Sequence, residues 1–207
     1  MEAMRSAVML AGGIGSRLGA EKSLIEFEGR PLILWSAEKL SRVCDEIVIV
    51  ARSKEQADRL KMLVPDARIA CDEVSGFGPV AGLKSGMGAA RGEYAVAVGC
   101  DLPFINVAVI KMLFELAEGF DAAVPVRQDG VLETLHAVYQ AEKMAEACAR
   151  AISQGRRRIM APLGYLSINL VPVEELRALD PELMTFFNIN TPEDLERARG
   201  LWPGVST

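Results

Sequence analysis

The residues best suited to chemistry lie in one short stretch near the amino terminus. An apolar run at 7–10 leads into Gly12 and Gly13, and Arg17 and Lys22 follow. Glycine lets backbone N–H groups approach an anion closely, because it has no Cβ in the way. Arginine and lysine supply the positive charge that a triphosphate requires. The stretch therefore predicts the phosphate-binding loop of a nucleotide-handling enzyme.

This glycine loop differs from the two commonest phosphate-binding fingerprints. A dinucleotide-binding G-x-G-x-x-G that begins at Gly13 requires a third glycine at position 18, which is leucine. A Walker A loop requires glycine directly before its lysine, and Glu21 stands there. The pattern therefore disfavours a dinucleotide dehydrogenase and a P-loop kinase. An ordinary tight turn is the remaining alternative, although four glycines within eight positions argue against it.

Two aspartates follow apolar stretches and could serve a nucleotide. Asp101 comes after the run 94–99, and Pro103 stops the strand that this run predicts. Ligands of open α/β sheets bind beyond the carboxyl ends of strands, so a carboxylate there can hold magnesium, which bridges protein and phosphate oxygens. Asp72 can accept hydrogen bonds from a base or from ribose hydroxyls. The alternatives are an Asx-turn or helix cap for Asp101 and turn stabilisation for Asp72.

The elements that would hold these groups in place are predicted by alternating strand and helix patterns over the first 120 residues. Runs such as 47–50 are almost continuously apolar, as in a strand covered on both faces. Such alternation predicts an α/β fold with a mostly parallel sheet and helices on both faces. The predicted strands lie at 7–10, 46–51, 67–71, 94–99 and 121–126, and the predicted helices at 31–43, 54–63, 80–91 and 107–117.

The pattern changes beyond residue 120. The turn signal Asp129-Gly130 predicts a small β-hairpin between strands at 121–126 and 132–139. The tail from Trp202 onward is expected to be loose. The other predicted elements are a helix at 141–154, a strand at 165–171 and a last helix with its N-cap at Thr191.

Composition limits the class of protein. The chain has 207 residues, half of them hydrophobic and a quarter charged, which is the balance of one globular domain. Its net charge of −5 argues against a nucleic acid or an anionic membrane as a partner. Four cysteines without a C-x-x-C pair and a single histidine disfavour a zinc site. The absence of a long apolar segment predicts a cytoplasmic protein without a membrane partner.

The glycine loop resembles the signature L-A-G-G-x-G-x-R-x-G-x-x-K of the small nucleotidyltransferases. Those enzymes join a nucleoside triphosphate to a phosphorylated acceptor and release pyrophosphate. Within that superfamily the chain most resembles the molybdenum cofactor guanylyltransferases. The other segments that carry this resemblance are GPVAGL at 78–83, CDLPF at 100–104, ETLHAVY at 133–139, GRRRIM at 155–160 and FNINTPEDL at 187–195.

The resemblance implies a three-layer, Rossmann-like nucleotidyltransferase fold in a single domain, 1–207. Its nucleotide-binding half would be 1–105, and its acceptor-binding half, which contains the hairpin, would be 106–200. The implied activity is transfer of GMP from GTP to the phosphate of molybdopterin or the molybdenum cofactor, with magnesium as the cofactor. Transient contacts with proteins that deliver or receive the molybdenum cofactor would accompany this activity.

The resemblance also implies roles at the nucleotide. Arg17 would reach the β and γ phosphates, and Lys22 would neutralise charge at the α or leaving phosphates. Asp101 would be the metal ligand, which makes these three residues the catalytic candidates. Asp72 would contact the guanosine. The nucleotide-binding candidates are Leu10, Ala11, Gly12, Gly13, Lys22, Asp72 and Asp101.

The acceptor candidates lie in the second half of the chain. A pterin ring offers amide-like donors and acceptors, and its phosphate calls for arginine. These requirements point to Glu133, Arg156, Asn188 and Asn190. A solvated charged run is the alternative for Arg156, and helix capping is the alternative for the two asparagines. His136 alternates with apolar neighbours and is expected to be a core histidine.

Departures from the family pattern keep other activities open. Ser16 and Arg17 stand where many relatives carry paired arginines, and the family's base-contacting asparagine aligns with Arg52 or Ser53. The nearest alternatives are a CTP-dependent molybdopterin cytidylyltransferase and a guanylyltransferase for cobinamide or lactate phosphate. A non-catalytic nucleotide-binding adaptor is a further alternative, against which the intact glycine loop argues.

Overall fold

A seven-stranded sheet forms the centre of the protein. The computed structural model describes residues 3–12, 14–15, 20–72 and 77–202, with the backbone alone at 14, 15 and 20. Its strands are β1 (Arg5–Leu10), β2 (Ile14–Gly15), β3 (Ala20–Glu21), β4 (Glu26–Phe27), β5 (Arg30–Pro31), β6 (Glu46–Ala51), β7 (Arg68–Cys71), β8 (Tyr94–Gly99), β9 (Ala122–Val126), β10 (His136–Gln140) and β11 (Ile168–Pro172). Its α-helices are α1 (Leu32–Leu40), α2 (Lys54–Leu63), α3 (Pro79–Ala89), α4 (Val107–Ala117), α5 (Ala141–Ser153) and α6 (Pro192–Leu201). Short 3-10 helices lie at Lys22–Leu24, Pro162–Tyr165, Val173–Ala178 and Met184–Phe186.

The sheet is mostly parallel, as the sequence predicts. Its strand order is β11-β9-β10-β8-β1-β6-β7, and β10 is the strand that runs against both of its neighbours. Strands β1, β6, β8 and β9 therefore point the same way, so their carboxyl ends meet along one side of the sheet. Ligands of open α/β sheets bind on that side.

The hairpin between β9 and β10 is confirmed by their antiparallel pairing, but it belongs to the main sheet. The predicted start of its second strand at 132 is wrong, because β10 begins at His136. Leu132 makes an isolated bridge to Val126, and the N–H of His136 then donates to the carbonyl of Glu133 at 3.1 Å. The chain turns at this bond before it joins the sheet. The other predicted elements are present, with ends that agree within about three residues.

Helices cover both faces of the sheet. In β1, Ala7 and Met9 pack into the core on one face, whereas Val8 packs into the core on the other. Residues of α1, α2 and α4 complete the first core, and residues of α3 and α5 complete the second. This burial on both faces explains the nearly continuous apolar runs of the central strands.

A third apolar cluster joins α6 and Trp202 to the segments that flank the sheet. The rings of Phe27 and Trp202 pack edge to face at 5.0 Å, and those of Trp35 and Trp202 pack at 4.7 Å. The expectation of a loose tail is therefore wrong at Trp202, because this ring gains aromatic partners. Phe104 and Ile189 pack in the same cluster and so anchor the segments that follow β8 and precede α6.

Within the ranges that the structure describes, no helix has the length and apolarity needed to cross a membrane.

Candidate active site

A cavity of about 260 Å³ lies at the carboxyl ends of β1, β6 and β8, beside the start of α3. Five of the predicted nucleotide-binding residues line it, namely Leu10, Gly12, Lys22, Asp72 and Asp101. Ala11 is fully buried, and its N–H donates to the carbonyl of Val50 at 3.0 Å. The candidates Gly13 and Arg17 lie outside the described residues. Five of the six nucleotide-binding candidates that the structure describes thus line one cavity.

Lys22 links the two halves of the chain within this cavity. Its Nζ donates to Asp101 Oδ2 at 2.8 Å and also to Oδ1 of Asn190. The side chains of the ion pair are 18% and 12% exposed, so the pair is largely shielded from water. Asp101 and Asn190 come from motifs 79 and 168 residues away from Lys22 along the chain. The fold brings three separate sequence motifs to one ammonium group.

The backbone around Asp101 leaves room for its carboxylate. A Cβ at Gly99 would lie 2.5 Å from Asp101 Oδ1, so glycine is required for this side-chain orientation. The carbonyl of Asp101 accepts the N–H of Ile189 at 3.0 Å, which ties the end of β8 to the segment that carries Asn190. Burial, reinforced by the Asp101 carboxylate, raises the pKa of the Cys100 thiol. This thiol stays protonated and is a poor nucleophile.

The turn before α3 and the end of β7 supply another part of the cavity wall. The N–H of Asp72 donates to the carbonyl of Ala51 at 2.8 Å. Gly78 adopts φ +53°, in the left-handed region that favours glycine, and the helix starts directly after it. A Cβ at Gly82 would lie 3.3 Å from Leu10 Cδ2, so α3 packs closely on β1. Asp72 and the glycine-proline turn therefore share one cavity.

Arg52 lines the cavity at the position where the resemblance implies a base-contacting residue. One of its guanidinium nitrogens lies 3.8 Å from the carboxylate of Glu21. The buried amide of Gln56 donates to the same carboxylate and to the carbonyl of Ala11. Neither Glu21 nor Gln56 is a candidate from the sequence. The available signal, Ser53 followed three residues later by glutamine, indicates a helix start and nothing more.

Two acceptor candidates lie next to a second, larger groove of about 550 Å³. Glu133 forms an ion pair with Arg127, which lines this groove. Asn188 is exposed, and its amide donates at 3.2 Å to the carbonyl of Phe186, another lining residue. The groove follows the carboxyl ends of β9 and β11 and therefore lies on the same side of the sheet as the cavity.

Arg156 lies in a different place from these candidates. Its guanidinium is 6.0 Å from the centroid of the Tyr165 ring. The next residue, Arg157, lies 5.4 Å from the ring centroid of Phe77, directly before the glycine-proline turn. Arg157 thus lies near the turn before α3, and neither arginine lines the groove.

His136 is a core histidine, as expected from its apolar neighbours. It is 1% exposed, and burial lowers its pKa to about 3. Its Nε2 lies 2.9 Å from Thr185 Oγ1, which also accepts the N–H of Asn106 at 3.0 Å. The threonine hydroxyl can therefore donate its proton to Nε2 of a neutral imidazole.

Known proteins resemble this chain over most of its length. Residues 7–168 match the family described as the MobA-like NTP transferase domain. A protein of Methanosarcina mazei named probable molybdenum cofactor guanylyltransferase is 39% identical over 95% of this chain and 90% of its own. The molybdenum cofactor guanylyltransferase of Desulfosudis oleivorans is 35% identical over 93% of both chains.

Solved structures confirm the three-layer nucleotidyltransferase fold. Molybdopterin-guanine dinucleotide biosynthesis protein A from Archaeoglobus fulgidus superposes with a TM-score of 0.84 and 36% identity, over 96% of this chain and 98% of that one. A 4-diphosphocytidyl-2C-methyl-D-erythritol synthase from Anaerococcus prevotii, at 14% identity and a TM-score of 0.71, shares the fold alone. With its family model, its relatives and its fold in agreement, the chain belongs to the MobA-like NTP transferase family.

Proposed function

We propose that the protein transfers GMP from GTP to the phosphate of molybdopterin or the molybdenum cofactor and releases pyrophosphate. The observation that carries this proposal is the contact of Lys22 with Asp101 and Asn190, which joins the phosphate loop, a central strand end and the second half of the chain. The names of the relatives described above point to the same reaction.

The proposed reaction is a direct, in-line displacement. An oxygen of the acceptor phosphate attacks the α-phosphorus of GTP. The bond from this phosphorus to the bridging oxygen of the β-phosphate breaks, and pyrophosphate leaves with the bonding electron pair. Because both reactants are anionic, positioning and charge neutralisation dominate the catalysis.

The glycine loop supplies the phosphate contacts in this proposal. Gly12 and Gly13 present backbone N–H groups, and Leu10 lines the nucleotide cavity. Ala11 positions the loop, since its own N–H is already bonded to a strand carbonyl. Lys22 neutralises the α or leaving phosphates, and Arg17 neutralises the pyrophosphate.

The wall of the cavity is assigned to the nucleoside. Asp72 binds the guanosine through hydrogen bonds to its carboxylate, because it lines the cavity beside the glycine-proline turn. Arg52 lines the same cavity, at the position where the resemblance implies a contact with the base.

Enzymes of this family generally use a divalent metal, and we assign magnesium. The described residues contain no cluster of three or more His, Cys, Asp or Glu side chains that could hold a metal ion. Magnesium usually takes one or two carboxylates and completes its shell with phosphate oxygens and water. Asp101 would be the protein ligand, with Asp72 in the same cavity, and the ion would neutralise phosphate charge when bound. Lys22 holds the Asp101 carboxylate in its orientation.

The acceptor would bind to the second half of the chain, 106–200, while 1–105 holds the nucleotide. The larger groove is lined by Phe186, Arg127 and Arg197, which suit a flat heteroaromatic ring that carries a phosphate. Glu133, Asn188 and Asn190 are the polar contacts assigned to this acceptor. Arg156 does not line this groove, and its assignment to the acceptor phosphate depends on its charge alone. Proteins that deliver or receive the cofactor would make transient contacts in the cytoplasm.

Pyrophosphate release tests this function. Purified protein with magnesium and molybdopterin should release one pyrophosphate per dinucleotide formed from GTP, and none from CTP. Release from CTP would instead identify a cytidylyltransferase. Release only with cobinamide or lactate phosphate would identify a different acceptor, and nucleotide binding without release would identify an adaptor.

A further inference from the structure

One buried side chain holds both ends of the glycine loop. Gln56 is 0% exposed at the start of α2. Its Nε2 donates to the carbonyl of Ala11 at 2.9 Å and to the carboxylate of Glu21, while its Oε1 accepts the N–H of Arg52 at 2.8 Å. Two neighbours are acceptors and one is a donor, so this amide orientation satisfies all three bonds.

The two acceptors of the Gln56 amide stand at opposite ends of the loop. Ala11 begins it, and Glu21 closes it. Backbone pairing of β2 with β3 brings Glu21 back beside the start of the loop. A single amide group therefore joins residues 11 and 21, and we call the three residues Ala11, Gln56 and Glu21 the loop clamp.

Further donors fix the Glu21 carboxylate. The Ser23 hydroxyl donates to this carboxylate at 3.1 Å, and a guanidinium nitrogen of Arg59 donates to it at 3.2 Å. A guanidinium nitrogen of Arg52 lies 3.8 Å from the same carboxylate. The Glu21 side chain is 8% exposed. A shielded carboxylate with several charged and polar donors is a firm anchor for the backbone that carries it.

Lys22 follows this anchor directly in the chain. Its ammonium reaches Asp101 and Asn190, so the position of its backbone decides whether those contacts form. A displacement of about 1 Å at a reacting group can cost about 100-fold in rate. The loop clamp thus lies where it can control the placement of the phosphate-binding lysine.

We propose that Gln56 and Glu21 are positioning residues of the phosphate loop and act through Lys22. This inference rests on the proposed function, in which Lys22 binds nucleotide phosphates. Helix capping does not explain Gln56, because a capping glutamine in this position would bond the N–H of the N-cap residue Ser53. The Gln56 side chain instead accepts the N–H of Arg52, the residue before Ser53, and donates to both ends of the loop.

A double-mutant cycle tests the role of Lys22 in this arrangement. Calorimetry with GTP and magnesium should show that Glu21→Ala raises the dissociation constant about tenfold. In a Lys22→Ala background the same change should raise it less than about twofold, because the group that the anchor positions is gone. Glu21→Gln keeps an acceptor for the Gln56 amide and should lose less affinity than Glu21→Ala.

Glu55→Ala is the matched control for this cycle. Glu55 is a second carboxylate near Arg59, at 3.8 Å, and its side chain is 84% exposed. Its removal should leave the affinity for GTP unchanged. Equal losses from Glu21→Ala in both backgrounds, or no loss in either, would overturn the positioning role.

Hydrogen exchange without nucleotide separates the clamp from the proposed function. Glu21→Ala and Gln56→Leu should speed amide exchange in β2 and β3 by about tenfold or more and leave β8 unchanged. If exchange in β2 and β3 becomes faster in these variants but the wild-type protein neither binds GTP nor releases pyrophosphate, the proposed function is wrong and the loop clamp is still supported. Unchanged exchange in β2 and β3 would overturn the clamp even in an active enzyme.

Discussion

The protein should lose stability as the pH falls from 7 to 5, because of one buried histidine. His136 is the single histidine in the chain, and burial lowers its pKa to about 3 from an ordinary value of 6.5. The unfolded chain therefore takes up a proton near pH 6.5, whereas the folded chain does not until about pH 3. Unfolding is favoured progressively as the pH falls through this window.

The size of the effect follows from the two pKa values. At pH 5 the unfolded histidine is almost fully protonated, and the folded one is neutral. One pKa unit corresponds to about 1.4 kcal/mol, so the free energy of unfolding should be about 2 kcal/mol lower at pH 5 than at pH 7. Glu38 and Asp194 have lowered pKa values, and the stability they contribute is lost mainly below their ordinary values of 4.5 and 3.8.

Urea denaturation followed by tryptophan fluorescence at pH 7, 6 and 5 measures this loss. His136→Gln keeps an acceptor for the Thr185 hydroxyl and removes the titrating group, so its stability should change little over the same range. A wild-type free energy of unfolding that stays constant between pH 7 and 5 would refute the reasoning. An equal fall in His136→Gln would assign the effect to another group.

Three further predictions test the packing and the site, the first of them with a matched control substitution. Gly86→Ala should lower the free energy of unfolding by about 1–3 kcal/mol, since its Cβ would lie 2.4 and 2.7 Å from two core valines. Gly88→Ala is the control and should not destabilise α3, because no atom lies within 4 Å of its Cβ. Urea denaturation measures both free energies of unfolding. Gly99→Ala should reduce pyrophosphate release about 10-fold or more with little loss of stability, because its Cβ would displace the Asp101 carboxylate, and unchanged turnover would contradict this. Glu133→Gln should raise the KM for molybdopterin and leave the KM for GTP unchanged, as measured by steady-state kinetics with each substrate varied in turn. A raised KM for GTP with an unchanged KM for molybdopterin would contradict the assignment of Glu133 to the acceptor.

The sequence predicts the elements well where burial leaves a clear pattern. The central strands are apolar throughout because helices cover both faces of the sheet. Asp101 and Asp72 could be placed in one cavity because parallel strands end on the same side. The start of β10 could not be placed, because residues 132–135 contain no glycine or proline that would mark the turn before the strand.

Contacts between residues far apart along the chain could not be predicted from the sequence. Gln56 sits in a polar helix start, and nothing in its neighbours signals bonds to a loop 45 residues away. Arg156 could not be located because an exposed arginine run has no apolar pattern to orient it. The packing of Trp202 depends on rings from three distant segments. These contacts arise from the tertiary fold and not from local propensity.

The most direct measurement is GTP-dependent pyrophosphate release by Asp101→Asn, with molybdopterin and magnesium. This change keeps the size of the side chain and removes the charge that pairs with Lys22. Turnover should fall by about 100-fold or more while the fold is kept, and Asp58→Asn on the exposed face of α2 should match wild type. Near-normal turnover of Asp101→Asn would contradict the assignment of this cavity as the site of nucleotidyl transfer.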